Sequence, residues 1–101
     1  MIEKNVRERD IEEYLREKAK ALKGKAYKWT SPGNNGVPDR IVMLPGARII
    51  FVELKAPGKD ATPIQKLQHK RIRDLGFQVF VIDSKQGVDE LIKQYEEVVP
   101  K

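Results

Sequence analysis

Asp39, Glu53 and Lys55 have the most chemistry to offer in this 101-residue sequence, because each stands among apolar residues that read as strands. Val37-Pro38-Asp39-Arg40 leads into Ile41-Val42-Met43-Leu44, and Ile49-Ile50-Phe51-Val52-Glu53-Leu54-Lys55 has the β-branched and aromatic content of a buried strand. Side chains alternate along a strand, so Glu53 and Lys55 share a face. An unpartnered carboxylate in such a run costs about 1 to 3 kcal/mol or more, so a cation or hydrogen-bond donors must stand beside it. Pro38 enforces an extended entry, and a turn at Pro45-Gly46 folds the two strands into a hairpin that brings Asp39 towards Glu53. Two such carboxylates can hold a hard divalent cation through oxygen, and Lys55 can orient a water nucleophile or neutralise charge on a scissile phosphate. An ordinary hairpin with a solvated Glu/Lys pair would carry the same residues; the apolar setting of both halves favours the metal site.

The elements that must position these groups follow from periodicity. Residues 3–23 read as an amphipathic helix with Ile11, Tyr14, Leu15, Ala19 and Leu22 on one face and Gly24 as its stop. Ala26 to Thr30 is a first strand, and residues 31–38, with two glycines, two asparagines and two prolines, form a loop. Strands over Arg40–Leu44 and Ile49–Lys55 follow. Thr62-Pro63-Ile64-Gln65 announces a helix, with Thr62 as N-cap, Pro63 at the first helical position and Gln65 completing a capping box. Ile64, Leu67, Arg71, Ile72 and Leu75 continue that helix to Gly76. Gln78 to Ile82 is a buried strand and Val88 to Val98 a last amphipathic helix. The helix before Gln78 is long enough for a right-handed crossover between parallel strands.

Length suits one domain and composition suits an apolar core, with 40% hydrophobic residues. The absence of cysteine excludes disulfides and zinc–thiolate sites. No apolar run approaches the roughly 18 residues needed to span a membrane, and residues 1–5 lack a signal-like apolar segment, so the expectation is a soluble intracellular protein without a membrane partner. A net charge of +5 suits a polyanionic partner, with Lys18, Lys20, Lys23, Lys25 and Lys28 in one cluster and Lys66, Lys70, Arg71 and Arg73 in another. Solvated helix faces account for part of both clusters.

The run from Ser31 through Val37-Pro38-Asp39-Arg40, continued by Phe51-Val52-Glu53-Leu54-Lys55-Ala56-Pro57-Gly58 and Gln65, resembles the VRR-NUC family of the restriction-endonuclease-like PD-(D/E)xK superfamily. The likeness runs from about Ile11 to about Leu91 and is to the short standalone nucleases of phages and bacteria. It implies a single VRR-NUC domain over residues 1–101. The implied fold is α/β, a restriction-endonuclease-like mixed β-sheet flanked by helices in the order α-β-β-β-α-β-α. The implied activity is metal-dependent DNA hydrolysis, with Mg²⁺ or Mn²⁺ held by Asp39, Glu53, the Leu54 backbone carbonyl and a first-helix glutamate, directly or through water. Oxygen ligands disfavour zinc. Lys55 would position the attacking water, and Gln65 would join the catalytic site.

The first helix offers Glu8, Glu12, Glu13 and Glu17. Helix geometry puts Glu8 and Glu12 on the flank of the apolar stripe and Glu13 away from it. The phrase Ile11-Glu12-x-x-Leu15 matches the family, which selects Glu12 with Glu8 in reserve; the competing reading pairs Glu12 with Arg16. Ser31, Asn35, Arg40, Lys59, Lys66 and Lys70 are the expected substrate contacts. His69, the sole histidine, falls among Lys66, Lys70 and Arg73 and is expected to meet solvent or phosphate. The standalone relatives imply a two-fold homodimer that resolves four-way (Holliday) junctions in the cytoplasm of a bacterium or phage-infected host. A flap or general structure-specific nuclease, or a noncatalytic nucleic-acid-binding module, is the alternative.

Overall fold

The computed structural model describes residues 6–96. It comprises α1 (Glu8–Ala21), β1 (Lys25–Lys28), β2 (Arg40–Leu44), β3 (Arg48–Leu54), α2 (Pro63–Asp74), β4 (Gln78–Ile82) and α3 (Lys85–Glu96). The order matches the expected α-β-β-β-α-β-α, and β2 and β4 have their expected bounds. Other boundaries move for local reasons. The Asp10 carboxylate accepts the Arg7 N–H at 2.8 Å, so α1 starts at Glu8; positions 3–5 of the expected helix lie outside the described residues. The Ser84 hydroxyl accepts the Gly87 N–H at 2.9 Å and starts α3 three residues before Val88. The expected end of that helix at Val98 also lies outside the described residues.

The strands form one sheet in the order β1-β2-β3-β4, antiparallel at the first two pairings and parallel at the third, where α2 makes the crossover. Pleat alternation sends Ala26, Val42, Ile50, Val52, Leu54 and Ile82 to one face. There they are buried with Ile11, Leu15 and Ala19 of α1 and Val88, Leu91 and Ile92 of α3. Glu53 points to the opposite face, over whose β4 side α2 lies. One expectation is corrected here. β4 is an edge strand whose Gln78 and Val81 are exposed, rather than a fully buried one. In α2 the periodic residues Ile64, Leu67 and Leu75 are all exposed, Leu75 to 77%, and the buried residue of this helix is His69.

Gly24 stops α1 for a different reason from the one its composition suggests. The residue in the left-handed region is Lys23, at φ 65°, and the Lys23 N–H to Lys20 carbonyl and Gly24 N–H to Ala19 carbonyl bonds form a Schellman cap around it. Gly24 is needed for proximity, since a Cβ there would run into the Met43 carbonyl oxygen and the Leu44 side chain. Lys23→Gly is therefore expected to stabilise the protein by about 0.5 to 1 kcal/mol through relief of left-handed strain. Gly24→Ala should destabilise it by about 1 to 3 kcal/mol through overpacking against β2. Thermal unfolding of the two variants checks both signs, and a Lys23→Gly protein that melts below wild type would contradict the strain assignment.

Candidate active site

Asp39 sits at the entry to β2, after a buried Pro38. Its carbonyl accepts the Trp29 N–H at 2.8 Å, which extends the β1/β2 ladder by one rung, and its Oδ2 accepts the Leu54 N–H at 2.8 Å. The second bond ties the head of β2 to the end of β3 and brings the Asp39 carboxylate to the Glu53 side of the sheet.

Glu53 is 1% exposed, and three side chains converge on it. Gln65 Nε2 donates to Oε2 at 3.2 Å, Lys55 Nζ lies 3.7 Å from the same oxygen, and His69 Nε2 lies 3.5 Å from Oε1. Burial, then the charge and hydrogen bonding of Asp39, push the Glu53 carboxyl up to about 8 despite the opposing charge of Lys55. Burial pulls the His69 imidazole below its usual range, assisted by Arg73. Two acids forced together, one of them with a buried oxygen lacking a hydrogen-bond partner, form a donor set suited to a hard divalent cation, whose charge would relieve the repulsion. Among the described residues no three acidic or imidazole groups gather into a closed metal cage, so a cation here would complete its shell with backbone carbonyl, water or substrate oxygen.

Gln65 serves two purposes with one side chain. Thr62 and Gln65 form the expected capping box: the Gln65 N–H donates to Thr62 Oγ1 at 3.3 Å, and Gln65 Oε1 accepts the Thr62 N–H at 2.8 Å. That second bond occupies the amide oxygen and leaves Nε2 directed at Glu53, so the cap of α2 also orients the active-site amide. The loop before Asp39 packs on the same turn. Gly36, at φ 92°, lies so near it that a Cβ would stand 2.8 Å from the Ile64 carbonyl oxygen and 3.1 Å from the Gln65 nitrogen.

Glu12 does not pair with Arg16. Its carboxylate lies 2.7 Å from Arg40 Nη2, and the same guanidinium donates to the Ala26 carbonyl at 3.3 Å. Arg40 is thus buried on the α1 side of the sheet, one pleat from Asp39 and facing the other way, and is withdrawn from the surface expected to meet substrate. The first-helix acid whose charge reaches Glu53 is Glu8, the reserve candidate, which helps to raise the Glu53 carboxyl.

The remaining candidates are dispersed. Ser31 accepts from the Asn34 side chain at 3.0 Å within its own turn, while Asn35 and Lys59 are exposed. Lys66 and Lys70 are exposed and pair with Asp60 at 3.3 Å and Asp74 at 2.8 Å. His69 overturns its expectation: it is 1% exposed and faces Glu53 rather than solvent. The surrounding lysines and arginines hid it, although its place four residues after Gln65, on the same helix face, was the available signal.

The raised Glu53 carboxyl makes metal-free stability depend on pH. Below about 4.5 folded and unfolded chains both hold this proton, between about 4.5 and about 8 only the folded chain does, and above about 8 neither does. The folded state binds more protons in that window, so stability falls as pH rises through it, by up to about 5 kcal/mol, and levels off beyond. Glu53→Gln should flatten the curve and melt above wild type at about pH 8 in EDTA. A wild-type melting temperature independent of pH across this range would contradict the buried-carboxyl assignment.

No family model matches the chain. A protein of Acyrthosiphon pisum secondary endosymbiont phage 1 named "Putative nuclease p44" is 52% identical over 79 residues, which cover 78% of this chain and 85% of that protein. A solved structure described as a VRR_NUC domain superposes with a TM-score of 0.82 at 38% identity, covering 87% of this chain and 96% of the other.

Proposed function

Because this chain belongs to the VRR-NUC nuclease family, we propose that it is a single-domain, divalent-metal-dependent DNA endonuclease acting on branched DNA, with Asp39, Glu53, Lys55 and Gln65 as its catalytic group. The observation that carries this reading is the buried Glu53 carboxylate, pressed against Asp39 and held by Gln65 and Lys55. Asp39, Glu53 and the Leu54 carbonyl would hold Mg²⁺ or Mn²⁺, with Glu8 taking the first-helix position assigned to Glu12 from the sequence. A bound cation would supply charge to the scissile phosphate and acidity to a water. Lys55 orients the attacking water and offsets developing negative charge, and Gln65 fixes the Glu53 carboxylate through Nε2. Arg40 and Glu12 are positioning residues that dock α1 on the strand carrying Asp39.

A two-fold homodimer acting on a four-way junction is the preferred assembly and substrate. One site cuts one strand, whereas two-fold symmetry would set two sites on a nearly two-fold junction. The sheet face shared with Glu53 leaves Tyr27, Met43 and Ile49 exposed, as α2 does Ile64 and Leu67, and this apolar surface supports self-association. Incubation of the pure protein with labelled single strands, duplexes, flaps and four-way junctions in Mg²⁺ or Mn²⁺ tests the reading. Paired junction cuts, abolished by EDTA, and a dimer by light scattering are expected. Faster cutting of flaps or duplexes would overturn the junction preference alone, and DNA binding without cleavage would make the protein a binding module.

A further inference from the structure

Among the described residues, three buried side-chain atoms lack a hydrogen-bond partner, and two of them face each other: Glu53 Oε1 and His69 Nε2, 3.5 Å apart. A buried polar atom left unpaired is costly, and two such atoms at this separation need only a small side-chain rotation to meet. Both residues are 1% exposed, so water does not compete for either. Gln65 and His69 are one helical turn apart on the same face of α2, and each sends a nitrogen to a different oxygen of the same carboxylate: Gln65 to Oε2 at 3.2 Å, His69 to Oε1. A carboxylate has about four lone-pair sites, so two donors still leave it able to take a cation.

We propose that His69 is a positioning residue for the nuclease reaction, donating its Nε2–H to Glu53 Oε1 and so forming, with Gln65, a two-pronged clamp that fixes the metal-binding carboxylate. The inference rests on the nuclease reading above and adds a residue to its machinery. It explains why an otherwise polar helix face buries one imidazole while Ile64 and Leu67 stay in solvent: the buried side of α2 is selected by the carboxylate it must satisfy. Groups that orient a ligating carboxylate shape the affinity of the site for its ion as well as its rate.

The test uses the full chain with two substitutions that keep the site filled, His69→Phe, which removes both nitrogens, and His69→Gln, which returns an N–H donor. Three readouts apply: Mn²⁺ affinity without DNA by calorimetry, steady-state cleavage, and the ¹⁵N resonances of the wild-type imidazole. His69→Phe should weaken Mn²⁺ binding and lower kcat by about ten- to a hundredfold each, with KM for DNA nearly unchanged, and His69→Gln should recover most of both. In the wild-type protein at a pH above about 8, where the Glu53 carboxylate is ionised, the imidazole should be a single tautomer carrying its proton on Nε2. Wild-type affinity and kcat in folded His69→Phe, or equal losses in folded His69→Phe and His69→Gln, would overturn the clamp. If His69→Phe does not fold, His69→Gln and the tautomer decide, and a proton on Nδ1 would overturn it. Wild-type protein that neither binds Mn²⁺ nor cleaves DNA would defeat the nuclease reading, while the tautomer would still decide the contact.

Discussion

Glu53→Gln and Asp39→Asn will each reduce cleavage by at least about a thousandfold, since loss of about 4 kcal/mol of charge stabilisation in the transition state corresponds to three orders of magnitude. Both substitutions remove a charge and almost no volume. Asp39→Asn keeps a side-chain oxygen able to accept the Leu54 N–H, so the bond tying β2 to β3 can survive. Glu53→Gln puts a neutral amide where the folded protein already prefers a protonated carboxyl below about pH 8, so this variant should fold at least as well as wild type without metal. Much of the DNA affinity should persist, because it comes from Lys and Arg contacts with the phosphate backbone. Single-turnover cleavage at saturating Mg²⁺ measures the loss, and wild-type rates in either variant would remove that residue from the site.

Lys55→Ala should slow single-turnover cleavage by about a hundred- to a thousandfold, while Mn²⁺ affinity changes by less than about tenfold. The Lys55 backbone N–H donates to the Ile82 carbonyl at 2.9 Å, a bond alanine retains, so the sheet should survive the change. Its ammonium lies 3.7 Å from Glu53 Oε2 and its side chain is 16% exposed, close enough to favour the charged carboxylate and open enough to reach a water or phosphate. Its loss raises the Glu53 carboxyl further, so the metal-binding defect should shrink as pH is increased while the rate defect remains. Loss of metal binding with unimpaired single-turnover cleavage would assign Lys55 to the ion and leave the water to another group.

The sequence by itself determined the parts of this protein that depend on short-range geometry. The two-residue period of a strand puts Glu53 and Lys55 on one face, Pro38 sets the entry to β2, and the Thr62–Gln65 capping box forms as spaced. The family motif added the fold, and the element order follows it. Tertiary structure alone decided which groups answer the buried charges. Ile64, Leu67 and Leu75 carry the helical period of α2 yet stay exposed, because the crossover to β4 lays this helix across Glu53 and turns Gln65 and His69 inward. Glu8 and Glu12 are one turn apart and indistinguishable by helical spacing. Alternation from Asp39 to Arg40 supplies Glu12 with a cation on the far face of the sheet and leaves Glu8 as the α1 acid acting on Glu53. In each case a charge withdrawn from water takes the partner that the folded chain places nearest, and that partner can lie tens of residues away in sequence.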